Sequence, residues 1–126
     1  METTQAELAV CKRQLETALL TIDEVLAMEW SPVVRDASIQ RFEYCFELAW
    51  KLMKKRLKID GVVVNSPRQT IRAAYENGLI DEVDDWLELL EDRNLTTHTY
   101  NVELAGKVFE SAKRLPPAVR RLLQQI

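Results

Sequence analysis

The chain has 126 residues, 47% of them hydrophobic and only three of them glycine, with 17 Lys and Arg against 20 Asp and Glu. That length supports one domain with a sizeable core, and the composition excludes a disordered or collagen-like chain. A net charge of −3 provides no global attraction for nucleic acid, whose constitutive binders are usually basic.

Leu8, Cys11, Leu15, Ala18, Leu19, Ile22, Val25 and Leu26 recur at steps of three and four. That is the period of an amphipathic helix, here expected to end near Trp30. Ser31-Pro32 reads as an N-cap followed by proline in the first turn. Ile39, Phe42, Phe46, Ala49, Met53 and Leu57 continue the spacing in a second helix over about 32–58. Such a helix is roughly 40 Å long, and a small protein buries that length only in a bundle. Gly61 is expected to end it, since glycine tolerates the left-handed geometry at a helix terminus. Val62-Val63-Val64 is a short apolar connector. Ser66 and Gln69 have the spacing of a capping box at the head of a short third helix, which stops at Asn77-Gly78.

Asp81 is expected to open a fourth helix with Val83, Trp86, Leu87 and Leu90 inward. Asp81, Glu82, Asp84 and Asp85 suit the positive end of its dipole. Asn101 suits the N-cap of a fifth helix through Val102, Ala105, Phe109 and Ala112. Pro116-Pro117 should interrupt it before Val119, Leu122, Leu123 and Ile126 carry the stripe onward. The expected fold is all-α, one domain over residues 1–126: an up-and-down four-helix bundle with a short extra helix in the middle connection. Cys11 and Cys45 both fall on apolar stripes, which predicts two buried free thiols in a reducing compartment. No apolar run is long enough to span a bilayer and no charged-then-apolar leader is present. A cytoplasmic protein with no membrane partner is expected.

Between the fourth and fifth helices lies Arg93-Asn94-Leu95-Thr96-Thr97-His98-Thr99-Tyr100-Asn101, with the one histidine of the chain. Arginine offers a permanent, planar charge suited to phosphate oxygens. Histidine gives or takes protons near neutrality. Together they point to phosphodiester chemistry. On an unbroken helix Arg93 and His98 would point about 140° apart, whereas Asn94 and His98 would share a face. The helix must therefore loosen after Leu95, or the two residues must meet across a dimer. Three threonines within four residues weaken helix propensity at that point.

Ordinary structural roles stand beside these. His98 could bond free carbonyls at a helix end, Arg93 could form a salt bridge to an acid such as Glu47, and Tyr100 could simply pack. Lys51, Lys54, Lys55, Arg56 and Lys58 crowd the end of the second helix. The dipole favours cations there, and the cluster also suits a partner or RNA. Glu88, Glu91 and Asp92 stand just before Arg93 and would repel RNA unless neutralised.

The pattern R-N-x-x-x-H-x-Y over residues 93–100 resembles the signature of HEPN domains. Arg41-Phe42-Glu43-Tyr44-Cys45-Phe46-Glu47-Leu48-Ala49-Trp50-Lys51 is similar to the second helix of the nucleotidyltransferase substrate-binding family, a HEPN relative. With Ser66-Pro67-Arg68 and the Trp86 helix, the resemblance covers most of the chain. It implies a homodimer whose signature residues face one cleft, acting on RNA as a metal-independent endoribonuclease without a cofactor. In that reading His98 supplies the acid and base roles, one histidine from each chain. Arg93 stabilises the phosphorane, and Asn94 orients the histidine or the phosphate. Glu47 and Thr97 are supporting residues. Toxins of this pattern are paired with a minimal nucleotidyltransferase antitoxin, which implies AMP transfer to an accessible Tyr100. The alternative is a noncatalytic subunit that binds substrate for the nucleotidyltransferase or scaffolds it. A single histidine and the lack of a Glu-x-x-His pair argue against a di-iron bundle site.

Overall fold

In a computed structural model, which describes residues 4–126, the chain forms helices joined by short connections. They are α1 (Gln5–Leu26), α2 (Pro32–Ile59), α3 (Pro67–Glu76), α4 (Val83–Asn94) and α5 (Val102–Gln125), with a 3₁₀ turn at Thr96–His98. Helices α1, α2, α4 and α5 make the bundle, and α3 is the short extra helix of the middle connection. No strand occurs among the described residues, and none of their helices is long and apolar enough to cross a membrane.

Helix α2 is the spine, packing along α1 and α5 and touching α3 and α4 as well. Its Phe42, Phe46, Leu52, Met53 and Leu57 are fully buried, against Leu15 and Ile22 of α1, Trp86 and Leu89 of α4, and Leu115 and Leu122 of α5. Phe46 sits at the centre of an aromatic row, tilted against Phe42 at 6.3 Å and Trp86 at 6.1 Å. Tilted pairs of this kind add about 0.5–1.5 kcal/mol beyond the area they bury.

Local signals set most boundaries. The Ser31 hydroxyl accepts from the Val34 N–H at 3.1 Å, and Ser66 accepts from the Gln69 N–H at 3.2 Å. The Gln69 side chain reaches the Asn65 N–H at 3.1 Å, so the capping box closes on the residue before the cap. Gly61, at φ 85°, ends α2. Its N–H bonds the Lys58 carbonyl at 3.0 Å, and the Val62 N–H bonds the Leu57 carbonyl at 2.8 Å. That bond pair is a Schellman end, whose positive φ strains any residue with a Cβ.

Several expectations are corrected. Helix α1 ends at Leu26 rather than near Trp30, which is 58% exposed and has no core to join. Asp81 does not open α4. Glu82 occupies the N-cap without a side-chain cap bond, and its carboxylate instead pairs with Arg121 at 3.1 Å. The inward face of α4 is Trp86, Leu89, Leu90 and Asp92, while Val83 and Leu87 are half-buried. On α5, Val108 and Ser111 take inner positions, Phe109 and Leu123 are half-buried, as is Ile126 just past its end, and Val102 is exposed.

Pro116-Pro117 does not interrupt α5, which runs unbroken through both. A proline inside a helix costs about 3 kcal/mol. Beyond the pair, however, Val119 and Leu122 are completely buried, as is Leu115 before it. Each such side chain contributes about 1.5–3 kcal/mol by burial. A break would forfeit that packing, so the tertiary term outweighs the local one.

Cys11 is half-exposed rather than buried, whereas Cys45 is buried. Burial first, and the Asp23 carboxylate second, push the Cys45 thiol from an ordinary 9.0 up to about 12. The folded chain thus holds this proton more tightly than the unfolded one. Its contribution to stability is complete below about pH 9 and falls as pH rises from there towards 12. In the native protein at pH 8, a thiol reagent is expected to label Cys11 and to reach Cys45 only after denaturant is added. Equal native rates at both sulfurs would contradict this packing.

Candidate functional site

The turn between α4 and α5 is built by its own side chains. Helix α4 stops at Asn94, and the Leu95 N–H bonds back to the Asp92 carbonyl at 3.0 Å. The His98 N–H then reaches the Leu95 carbonyl at 2.9 Å, closing the 3₁₀ turn. Thr96 donates its hydroxyl to the Arg93 carbonyl at 2.8 Å, and Thr99 donates to the Thr96 carbonyl at 3.2 Å. The threonines therefore satisfy carbonyls that a terminating helix leaves free. Asn101 caps α5, accepting from the N–H groups of Glu103 and Leu104 at 2.9 and 3.2 Å. The helix loosens where the threonine run allows it.

Arg93 points back to α2. Its Nη1 lies 2.9 Å from Glu47 Oε1, and its guanidinium sits over the Phe46 ring at 5.5 Å. The ion pair that the sequence left open with Glu47 is therefore present. Glu47 also accepts from the Trp50 indole N–H at 3.2 Å and lies 3.7 Å from Lys51 Nζ. The two side chains are 22% and 31% exposed, so the arginine is clamped between a ring and a carboxylate yet still reaches solvent. A guanidinium carries more N–H donors than this single contact uses, and among the described residues Arg93 Nε has no hydrogen-bond partner.

His98 and Tyr100 lie on the outside of the turn. Tyr100 is 84% exposed, and its ring meets that of His98 edge-on with centroids 6.1 Å apart. Thr97 and Asn94 are exposed too. The shared face expected for Asn94 and His98 on a continuous helix is lost with the 3₁₀ turn. Among the described residues the Asn94 amide bonds neither His98 nor Arg93. One chain thus brings together Glu47 with Arg93, and His98 with Tyr100.

Asp92 behaves unlike the surface acid that its charge suggests. It is 1% exposed and accepts a hydrogen bond from the Ser111 hydroxyl of α5. Lys107 at 3.5 Å and Arg114 at 3.6 Å flank it. Arg114 also donates to Ser111 at 3.0 Å and lies 3.5 Å from Glu88. Two of the three acids just before Arg93 are therefore compensated inside the chain. Helical spacing carries the signal that was overlooked: Asp92 follows buried Leu89 by three residues, and Ser111 follows buried Val108 by three.

Residues 8–126 match the family described as nucleotidyltransferase substrate binding protein like. A Haemophilus influenzae protein named probable ribonuclease HepT is 30% identical over 105 residues, covering 75% of this chain and 72% of that one. The structure of a Thermus thermophilus protein is similar at a TM-score of 0.83 and 40% identity, covering 88% of this chain and 97% of the other. A Haemophilus influenzae structure, described as revealing the fold of a substrate binding domain of a nucleotidyltransferase, superposes at a TM-score of 0.70. It is 28% identical and covers 94% of this chain and 95% of its own.

Proposed function

This chain belongs to the nucleotidyltransferase substrate-binding family, and on that ground we propose that it is a HEPN-type, metal-independent endoribonuclease. It is the toxin of a toxin–antitoxin pair whose antitoxin is a minimal nucleotidyltransferase, and AMP transfer to Tyr100 silences it. The observation that carries this reading is the outward-facing His98–Tyr100 pair, on the turn that follows α4, whose last-turn Arg93 is held by Glu47.

RNA cleavage of this kind needs a proton removed from the ribose 2′-hydroxyl and a proton delivered to the 5′-oxygen that leaves. One chain has one histidine. In a homodimer, one His98 takes the first proton while the 2′-oxygen bonds to phosphorus. The second copy's His98 protonates the 5′-oxygen as its bond to phosphorus breaks. The products are a 2′,3′-cyclic phosphate and a free 5′-hydroxyl. Arg93 neutralises charge on the phosphorane through N–H groups that Glu47 leaves free. Asn94 and Thr97 supply polar groups at the cleft wall.

Silencing follows from the position of Tyr100. Its hydroxyl attacks the α-phosphate of ATP, the tyrosine O–P bond forms, and pyrophosphate departs. The tyrosyl proton goes to a base on the nucleotidyltransferase. The added phosphate is an anion beside His98, which repels the RNA backbone and fills the cleft. A cytoplasmic location fits both reactants.

A second reading, a noncatalytic subunit that binds substrate for the nucleotidyltransferase, draws on the description of the Haemophilus structure. The net charge of −3 also favours it. Incubating the purified chain with RNA in excess EDTA separates the two. Fragments ending in cyclic phosphate are expected, together with a dimer in sedimentation equilibrium at micromolar concentration. Intact RNA, or a monomer, would favour the noncatalytic subunit.

A further inference from the structure

We propose that the lysine face of α2 beyond Glu47 is a track for the phosphates of a single RNA strand, leading it to the Arg93–His98 turn. The inference deepens the nuclease reading and rests on it for its biological role, although binding to the track is measurable without cleavage.

Glu47, Trp50, Lys51, Lys54, Lys55 and Lys58 follow one another on α2 at helical steps that keep them on one face. The row runs roughly 16 Å at 1.5 Å per residue, from the carboxylate that holds Arg93 to the end of the helix. Trp50 and the four lysines line a concavity of about 280 Å³. Lys54 Nζ lies 5.9 Å over the Trp50 ring, while the indole N–H is bonded to Glu47. The tryptophan therefore joins the Arg93 clamp to the lysine row. A second concavity of about 220 Å³, lined by Lys54, Lys58 and the 62–65 connector, continues it beyond the helix end.

The charges on this face are arranged differently from those along α5. Arg114 meets Glu88 and Asp92, Arg120 meets Asp23, Arg121 meets Glu82, and Lys113 meets Glu110. Glu47, at the head of the track, is committed to Arg93 at 2.9 Å and is shared with Lys51 at 3.7 Å. Among the described residues, Lys54 and Lys55 form no ion pair. A chain of net charge −3 thus leaves cationic charge uncompensated beside its candidate site. The helix dipole does not account for the row, because its influence falls off within the last turn. The basic residues of that turn are Arg56 and Lys58, and Lys51, Lys54 and Lys55 precede it.

The chemistry favours RNA over a protein partner. Protein interfaces centre on desolvated apolar patches from which lysine is depleted, whereas this concavity is lined by lysines and one indole. A strand offers a phosphate at every nucleotide, and aromatic rings beside cationic grooves are the usual platform for single strands.

The test measures anisotropy of a fluorescein-labelled twelve-nucleotide oligouridylate over a salt series. The His98→Ala chain serves as background, so that no RNA is consumed. Each phosphate contact with a single strand contributes about 0.7 to the slope of log affinity against log salt. Lys54→Gln with Lys55→Gln should flatten the slope by about 1.4 and weaken binding about tenfold at low salt. Lys54→Arg with Lys55→Arg keeps the charges and should retain both values, which separates charge from folding. Unchanged slope and affinity in the glutamine variant would overturn the track. So would loss of nucleotidyltransferase binding with RNA binding intact, which would assign the face to the protein. Salt-dependent binding by the His98→Ala chain alongside a wild type that cleaves nothing would refute the nuclease reading and leave the track standing.

Discussion

His98→Ala is expected to lower RNA cleavage by about 10²–10⁴-fold, the usual worth of one general acid–base group, with the helical fold unchanged. The fold should tolerate it because the His98 side chain is exposed and fills no part of the core. Surface substitutions of this kind fall within about 0.5 kcal/mol of neutral. Arg93→Ala should abolish cleavage as well, but it is not silent structurally. It leaves Glu47 without its 2.9 Å partner and uncovers the Phe46 ring. Both members of that pair reach solvent, so water screens the orphaned carboxylate and the loss stays near 1 kcal/mol or below. Arg93→Lys keeps the charge without the planar fork. It should retain the fold while recovering only part of the activity. The measurement is single-turnover cleavage of a labelled RNA in EDTA, with thermal melting of each variant as the control. Cleavage that persists in His98→Ala, or that chelation removes from the wild type, would refute histidine-based, metal-free chemistry.

Which parts of this architecture were legible in the sequence depends on how local their causes are. Ser31, Ser66, Gly61 and Asn101 act on the backbone within a few residues, so their spacing announces the helix ends that the structure contains. The threonine run works the same way, because Thr96 and Thr99 bond carbonyls three residues back. Pro116-Pro117 is the opposite case. Its local cost is real, but packing on both sides of the pair decides the outcome, and no window of neighbouring residues contains that term. Asp92 fails for a related reason. Its charge reads as solvent-facing, and only the meeting of α4 with α5 supplies Ser111, Lys107 and Arg114 to compensate it. The Glu47–Arg93 pair stands between these extremes. Both residues belong to recognisable stretches, and the long separation between them is closed by the bundle rather than by either stretch.

Tyr100→Phe is expected to abolish AMP transfer by the partner nucleotidyltransferase completely, with no change in fold. In the proposed reaction the hydroxyl is the nucleophile, and phenylalanine retains the ring that meets His98 edge-on. Tyr100 is 84% exposed, and among the described residues its oxygen makes no hydrogen bond. Exposure is also what the chemistry demands, since the attacking oxygen must lie in line with the α-phosphate of ATP inside another protein's active site. Tyr75 and Tyr44 set the internal controls. Both are less exposed than Tyr100, and the Tyr44 hydroxyl is already paired with Thr21. Co-expression of the wild type with the nucleotidyltransferase should add one or more AMP masses to the intact chain, and peptide mapping should place them on Tyr100. The phenylalanine variant should stay unmodified while still cleaving RNA, and should remain toxic to growth in the presence of the antitoxin. Modification that persists in Tyr100→Phe would move the acceptor elsewhere. A wild type that stays unmodified after co-expression with ATP present would leave the partner holding this chain rather than silencing it, which is the behaviour of the noncatalytic subunit.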